Sequence, residues 1–225
     1  ERGWAAPAWP VEYGGCDWSL TQHYIFSRET TLAGAPNLSP MGIRMVAHAI
    51  IGFGTDEQKA YFLPRILTGE VFFCQGYSEP GSGSDLASLK TSARVEGDEF
   101  VVNGQKIWTS YADKADWIFC LVRTDKTNKH NGISFVLFDM ATPGVSTKPI
   151  LLISGYSPFC ETFFTDVKVP KANLVGREGE GWTIQVKLIP HWLPSPSRRW
   201  NWAWSSGVVM TAISRMPVSI STDSG

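Results

Sequence analysis

Apolar positions change their spacing once along this chain, near residue 70. Before that point they recur three and four apart, the period of amphipathic helices. A helix is predicted from an Asp17 cap through about Leu32, with Leu20, Tyr24, Ile25 and residues 27–32 roughly in phase. Gly34, Pro36 and Pro40 interrupt it. A second helix, Met41 to Phe53, places Ile43, Val46, Ala47, Ile50 and Ile51 on one face. Thr55-Asp56-Glu57-Gln58 has the form of a capping box, in which Thr55 accepts from the Gln58 amide while Gln58 reaches back. The helix it starts carries Tyr61, Phe62, Ile66 and Leu67, with Pro64 expected to kink or restart it. Residues 1–16, rich in Trp, Pro and Gly, are too punctuated for a regular element.

After residue 70 the apolar positions come in short runs. Val71 to Cys74 reads as a buried strand, and Gln75 to Asp85 as the loop that leaves it. Thr91–Val95, Phe100–Val102, Lys106–Thr109, Trp117–Arg123, Ile133–Phe138, Val145–Ile150 and Thr162–Val169 follow as strands. Gly97-Asp98 separates the first pair of these. Asn103-Gly104 predicts a type I′ hairpin between the next pair, because both residues tolerate positive φ. Close strands without intervening helices imply an antiparallel barrel or sandwich. Gly176 to Gly181 ends this region, Trp182 to Ile189 starts another helix, and Pro190, Pro194 and Pro196 interrupt it. Trp192, Trp200, Trp202 and Trp204 crowd the tail, and Ser219 to Gly225 reads as disordered. The fold class is α+β: an N-terminal helical domain over 1–70, a central β-domain over 71–178, and a C-terminal helical start over 179–225.

Composition narrows the function. The 225 residues are 43% hydrophobic, enough for a sizeable core, and 20 basic against 21 acidic residues give a net charge of -1. That balance offers no footprint for nucleic acid or an anionic membrane, and no apolar run reaches bilayer length. With no initiator Met, a segment ahead of Glu1 is expected to be missing. Cys16, Cys74, Cys120 and Cys160 form no metal or disulfide framework, and Cys74 and Cys120 read as core residues, which places the chain in a cytoplasmic, reducing setting. His23, His48, His130 and His191 form no spaced cluster, and so metal binding lacks support.

The candidate chemistry lies in the loop Gln75-Gly76-Tyr77-Ser78-Glu79-Pro80-Gly81-Ser82-Gly83-Ser84-Asp85. Its glycines and serines could form an anion-binding nest for a phosphate, or be a plain surface turn. No Lys follows the glycines before Lys90, which excludes a Walker loop, and Leu86 stands where a Rossmann fingerprint needs its third Gly.

The order of elements and this loop resemble the acyl-CoA dehydrogenase family of flavoproteins. So do Trp9-Pro10 with Glu12-Tyr13-Gly14-Gly15, Gly54-Thr55 with Gln58-Lys59, Asn103-Gly104-Gln105-Lys106-Ile107-Trp108, Ala115-Asp116-Trp117, Gly132-Ile133-Ser134-Phe135 and Asn173-Leu174-Val175-Gly176. The resemblance spans roughly residues 4–188. It implies FAD as cofactor, with Gln75, Gly76, Tyr77, Ser78, Gly83 and Ser84 along it. Ser78 would contact the flavin's pyrimidine side, Gly83 and Ser84 the pyrophosphate, and Ser84 also the acyl-CoA substrate. Trp108, Thr109 and Ser110 would flank the isoalloxazine ring, with Trp108 over one face and the Ser110 hydroxyl near N5.

The implied reaction is α,β-dehydrogenation of an acyl-CoA thioester to the 2-enoyl-CoA, in a homo- or hetero-oligomer that passes electrons to an electron-transferring flavoprotein. The loop is most similar to bacterial members acting on dicarboxyl, branched or sterol-side-chain acyl-CoAs. Family members place the catalytic Glu in a C-terminal helical domain with no counterpart here. No base is therefore assigned, and Glu79 and Glu161 read as structural or solvated carboxylates. The chain reads as a truncated member whose similarity stops within an element, the pattern an out-of-frame tail would leave. Rival readings are an acyl-CoA oxidase or nitroalkane oxidase of the same fold, or a non-catalytic remnant.

Overall fold

The computed structural model describes residues 2–192, and two of its helices begin where side chains satisfy their first amides. Helix α1, Leu20–Leu32, is capped by Ser19 rather than Asp17. Ser19 Oγ accepts from the Gln22 amide (3.3 Å) and Gln22 Oε1 accepts from the Ser19 amide (2.8 Å), a reciprocal box that Asp17 cannot form at its distance. A π-helical stretch, Met41–Val46, runs directly into α2, Ala47–Phe53. Helix α3, Asp56–Thr68, opens on the expected Thr55/Gln58 box and continues through Pro64 without restarting. Gln58 does more than cap: its Nε2 donates to the carbonyls of Ala172 (2.7 Å) and Leu174 (2.9 Å), tying α3 to the far end of the β-region.

The strands are β1 Phe73–Gly76, β2 Ser92–Glu96, β3 Glu99–Ser110, β4 Trp117–Arg123, β5 Ile133–Asp139, β6 Val145–Pro149, β7 Phe159–Pro170 and β8 Leu174–Val175. They form one sheet in the order β6-β7-β3-β2-β4-β5-β8, with β1 beside β4. Pairing is mostly antiparallel and the sheet is not closed into a barrel. Two contacts are parallel: β1 with β4 over four residue pairs, and β2 with β4 at Ser92 and Arg123 alone. β1 also starts and ends later than Val71–Cys74, so Gln75 and Gly76 belong to a strand rather than to the loop.

The predicted hairpin at Asn103-Gly104 does not form; β3 runs straight through it for twelve residues. Glu96 and Glu99 pair across Gly97-Asp98, and so the turn lies there. At Asn103 the partner strand β7 bulges instead. Val102 pairs with Val167 and Gly104 with Phe164, leaving Thr165 and Asp166 opposite one residue. Asn103 Nδ2 donates to Asp166 Oδ1 and the Asp166 amide donates back to Asn103 Oδ1, both at 2.9 Å, with Asp166 at φ 47°. The residue types that suit a turn here hold a bulge, because the partner lies 63 positions away.

The sheet folds over at the sparse β2/β4 junction. Phe138 of β5 meets Phe164 of β7, edge to face at 5.3 Å, although the two strands are not neighbours. One face of β4 and β5, including Ile118, Cys120, Val136 and Phe138, packs against Phe100, Val102 and Val167 of β3 and β7. Their other face, with Phe119, Leu121, Phe135 and Leu137, packs under Val46, Ile50 and Phe62 of the helices. Burial on both faces explains why β4 from Trp117 to Val122 and β5 from Phe135 to Phe138 are continuous apolar runs rather than alternating ones. Helix α4, Gly181–Trp192, covers β5 through Ile184 and Leu188 and includes Pro190, where an interruption was predicted. The predictions for Pro194, Pro196, the Trp-rich tail and the disordered end fall outside the described residues.

Candidate functional site

Trp108 is held in a conformation that β-sheet pairing alone would not produce. Lys106 pairs with Thr162 and Thr109 with Cys160, so Ile107 and Trp108 together oppose one residue, Glu161. This bulge resets the side-chain alternation of β3. Trp108 takes φ 61° and is 52% exposed, while Thr109 is fully buried and Ser110 half-buried. A left-handed backbone at a bulky residue costs on the order of 1–3 kcal/mol and persists only where its surroundings fix it. Here the Ile107 amide, which the bulge frees from β7, donates to the Ser78 carbonyl at 2.9 Å. Phe159 supports the ring edge to face at 6.2 Å.

That bond joins the bulge to the Gln75–Asp85 loop. Gln75 lies half-buried in β1 beside Tyr77, whose phenol is buried and pushed up in pKa, so it stays neutral. Gly76 sits where a Cβ would lie 2.8 Å from Ile118 Cδ1, so close packing against β4 explains that glycine. Beyond Ser78 the chain turns tightly: the Glu79 amide donates to the Ser82 carbonyl (2.9 Å) and the Ser82 amide to the Glu79 carbonyl (3.0 Å). No residue from 75 to 85 has a positive φ, so the alternating conformations of an anion nest are absent. The loop instead offers an open tip. A Cβ at Gly81 or Gly83 would meet nothing within 4 Å, and Gly83 and Ser84 are exposed. Their amides make no hydrogen bond among the described residues.

Sequence reasoning missed what holds this loop. Lys106, wholly buried, donates from Nζ to Glu79 Oε1 (2.9 Å) and to the Tyr77 carbonyl (3.1 Å). Glu79 Oε2 accepts from the Lys90 amide (2.7 Å) and Oε1 from the Thr91 amide (2.8 Å). Burial pushes the Glu79 carboxyl up, but the Lys106 charge and these hydrogen bonds outweigh it and leave it below its ordinary value. Glu79 is therefore a structural carboxylate, not a free base. Its clue was the lysine in alternating phase with Phe100 and Val102, on the inward face of β3. Arg123 supports the loop's exit, donating to the carbonyls of Ala87 (2.7 Å) and Leu89 (3.3 Å), and of Asn128 (2.8 Å) and Lys129 (2.9 Å) on the next turn. Glu161 Oε1 accepts from Gln105 Nε2 at 3.0 Å.

The structure thus brings the two predicted segments together as an open wall rather than an enclosed cavity. Two clefts, of about 520 and 470 Å³, are lined by Tyr13, Leu63 and Leu67 and by Asp116, Met140 and Thr147, and neither touches that wall. Cys74 and Cys120 are buried thiols pushed up in pKa, Cys120 to about 12, and so are unreactive core residues as predicted. No helix among the described residues is long and apolar enough to cross a membrane.

Comparison with known proteins finds matches to both the helical and the β-region. The profile described as acyl-CoA dehydrogenase, N-terminal domain, matches residues 1–70, and that of the acyl-CoA dehydrogenase middle domain matches residues 74–167. Acyl-CoA dehydrogenase FadE26 of Mycobacterium tuberculosis is 44% identical over 193 residues, 84% of this chain and 48% of that protein. The ChsE4-ChsE5 complex from Mycobacterium tuberculosis superposes with TM-score 0.77 at 45% identity, over 84% of this chain and 49% of that one. The Tcur3481-Tcur3483 steroid ACAD does so with TM-score 0.78 at 39% identity, over 84% and 49%. The chain spans about half the length of the relatives it matches.

Proposed function

The chain belongs to the acyl-CoA dehydrogenase family, and from that premise we propose that it supplies one wall of an FAD site for α,β-dehydrogenation of an acyl-CoA thioester. The observation that carries this is the Trp108 bulge, turned outward and bonded through Ile107 to the loop that bears Gly83 and Ser84. The wall fits such a cofactor. It combines an exposed flat aromatic, a half-buried Ser110, amides at Gly83 and Ser84 that have no partner among the described residues, and at Gly83 no Cβ to keep a phosphate away from the backbone.

Gln75, Gly76, Tyr77 and Ser78 would line the ring's edge, Trp108 would cover one face and exclude water, and Thr109 and Ser110 would border it. Gly83 and Ser84 would hold the pyrophosphate, and Ser84 would also touch the acyl-CoA. Bound there, FAD would accept the hydride, while the residues of the wall orient it. The proton-abstracting base is not among these residues. By analogy with the two-protein names of its steroid and ChsE relatives, the working form is proposed to be an oligomer acting on a bulky, sterol-derived acyl-CoA, with an electron-transferring flavoprotein as acceptor.

The test is a visible spectrum of the purified chain with added FAD. A bound, blue-shifted or structured flavin band supports the wall, and Trp108→Ala should weaken binding about tenfold or more. A chain that takes up no FAD contradicts the reading for this chain. Bleaching of the bound flavin by acyl-CoA supports dehydrogenation, and peroxide release under air would assign an oxidase instead.

A further inference from the structure

We infer that Lys106 and Glu79 are a positioning pair for this wall, holding the Gln75–Asp85 loop and the Trp108 bulge in fixed relation. The inference rests on the flavin-facing reading of the wall, but its geometry stands apart from any ligand.

A wholly buried ammonium is costly, and an apolar side chain at the same strand position would fill the space without that cost. What the charge adds is direction. Lys106 is the last residue of β3 in regular register before the bulge. From that point Nζ reaches the entry of the loop, at the Tyr77 carbonyl and Glu79. The Glu79 carboxylate then reaches the loop's exit, at the Lys90 and Thr91 amides. Both ends of the loop are thereby tied to one point on β3, one residue ahead of the Ile107–Ser78 bond that supports Trp108. The base is clamped and buried while the tip at Gly83 and Ser84 stays open. A ligand that stacks on Trp108 and also touches the tip needs the two at a fixed separation, and this pair sets it.

The full chain is compared with Lys106→Met, Glu79→Gln and the double variant Lys106→Met/Glu79→Leu. Thermal melting reports stability, amide hydrogen exchange reports local order, and FAD titration reports the wall. In each single variant the Ile107 and Thr91 amides should exchange about tenfold faster or more relative to Phe119 and Leu137, and FAD should bind about tenfold more weakly. The double variant removes the stranded charge, so its melting temperature should recover while local exchange and FAD affinity do not. Thr91 loses its acceptor in the double variant whatever the pair does, so Ile107 decides: a pair that only stabilises the core would recover Ile107 exchange and FAD affinity together with the melting temperature, and that result overturns the inference. Unchanged Ile107 and Thr91 exchange in the single variants overturns it too. If Lys106→Met does not fold, Glu79→Gln, which keeps the shape, decides by the same readouts. If the unmodified chain takes up no FAD, the flavin reading fails by itself, and exchange alone then judges the pair.

Discussion

Gly83 and Gly104 flank the same wall, yet alanine at the two positions should act in opposite ways. Gly104 has φ 151° and a Cβ there would lie 2.6 Å from Thr91 Oγ1 and 2.7 Å from Thr91 Cα. Both backbone strain and collision oppose a side chain, so Gly104→Ala should cost on the order of 1–3 kcal/mol or more in urea unfolding. Gly83 is not left-handed and has open space around it. Gly83→Ala should leave stability within about 0.5 kcal/mol, or raise it by restricting the unfolded chain, while FAD titration shows weaker binding. A protein destabilised by Gly83→Ala with unaltered flavin affinity would assign this glycine to the fold instead. Glu79 gives a second residue-scale expectation. Its carboxyl is held below its ordinary 4.5 in the folded state. As pH falls, the unfolded chain takes up that proton first. The stabilising contribution is therefore fully present above about 4.5 and is lost as pH falls further, through the lower folded value. Urea unfolding from neutral pH down to about pH 3 should show that loss, and Glu79→Gln should flatten part of it.

At the scale of elements, the boundaries that local chemistry sets were legible and those set by distant partners were not. The Thr55/Gln58 box and the apolar runs of β4 and β5 stand where their sequences put them, because caps and two-sided burial are written into neighbouring residues. Ser19-x-x-Gln22 was equally local and could have replaced Asp17 as the start of α1. Asn103-Gly104 could not be resolved that way. Its preference for unusual φ values serves a turn or a bulge alike, and the choice is made by Asp166 across the sheet. The same limit hid the clamp: Lys106 was visible as a strand residue, but its partners lie 27 and 29 positions back. Gln58 shows how a local signal can carry a long-range role. Thr55→Ala removes one cap acceptor and should cost about 0.5–2 kcal/mol. Gln58→Ala removes the reciprocal cap and also the bonds to the carbonyls of exposed Ala172 and half-buried Leu174, so it should cost more, by about 0.5–1.5 kcal/mol for each bond lost. Equal losses in urea unfolding would mean that the Ala172 and Leu174 bonds contribute nothing.

Across the whole molecule, stability should be distributed as unevenly as burial. β4 and β5 lie between both core clusters, and Phe119 and Phe135 stack at 5.9 Å with their planes 9° apart. Helix α1 has no buried residue, exposes Leu20, Tyr24, Ile25 and Leu32, and among the described residues makes its ring contacts through Phe26 and His23 with Trp4 and Trp18. A thirteen-residue helix is marginal in water without tertiary packing, so its cap cannot hold it by itself. Hydrogen exchange should therefore separate the chain into two classes. Amides of β4 and β5 should open only with global unfolding, while those of α1 should exchange through local fraying at far lower free energy. Substitutions should divide the same way: Phe135→Ala should cost about 3–5 kcal/mol, whereas Ile25→Glu should stay within about 0.5 kcal/mol. Slow exchange in α1, or a large loss from Ile25→Glu, would mean that this helix is covered in solution. The exposed apolar residues would then mark a contact with a partner or a second copy of the chain, a distinction that the concentration dependence of the exchange rates would make directly.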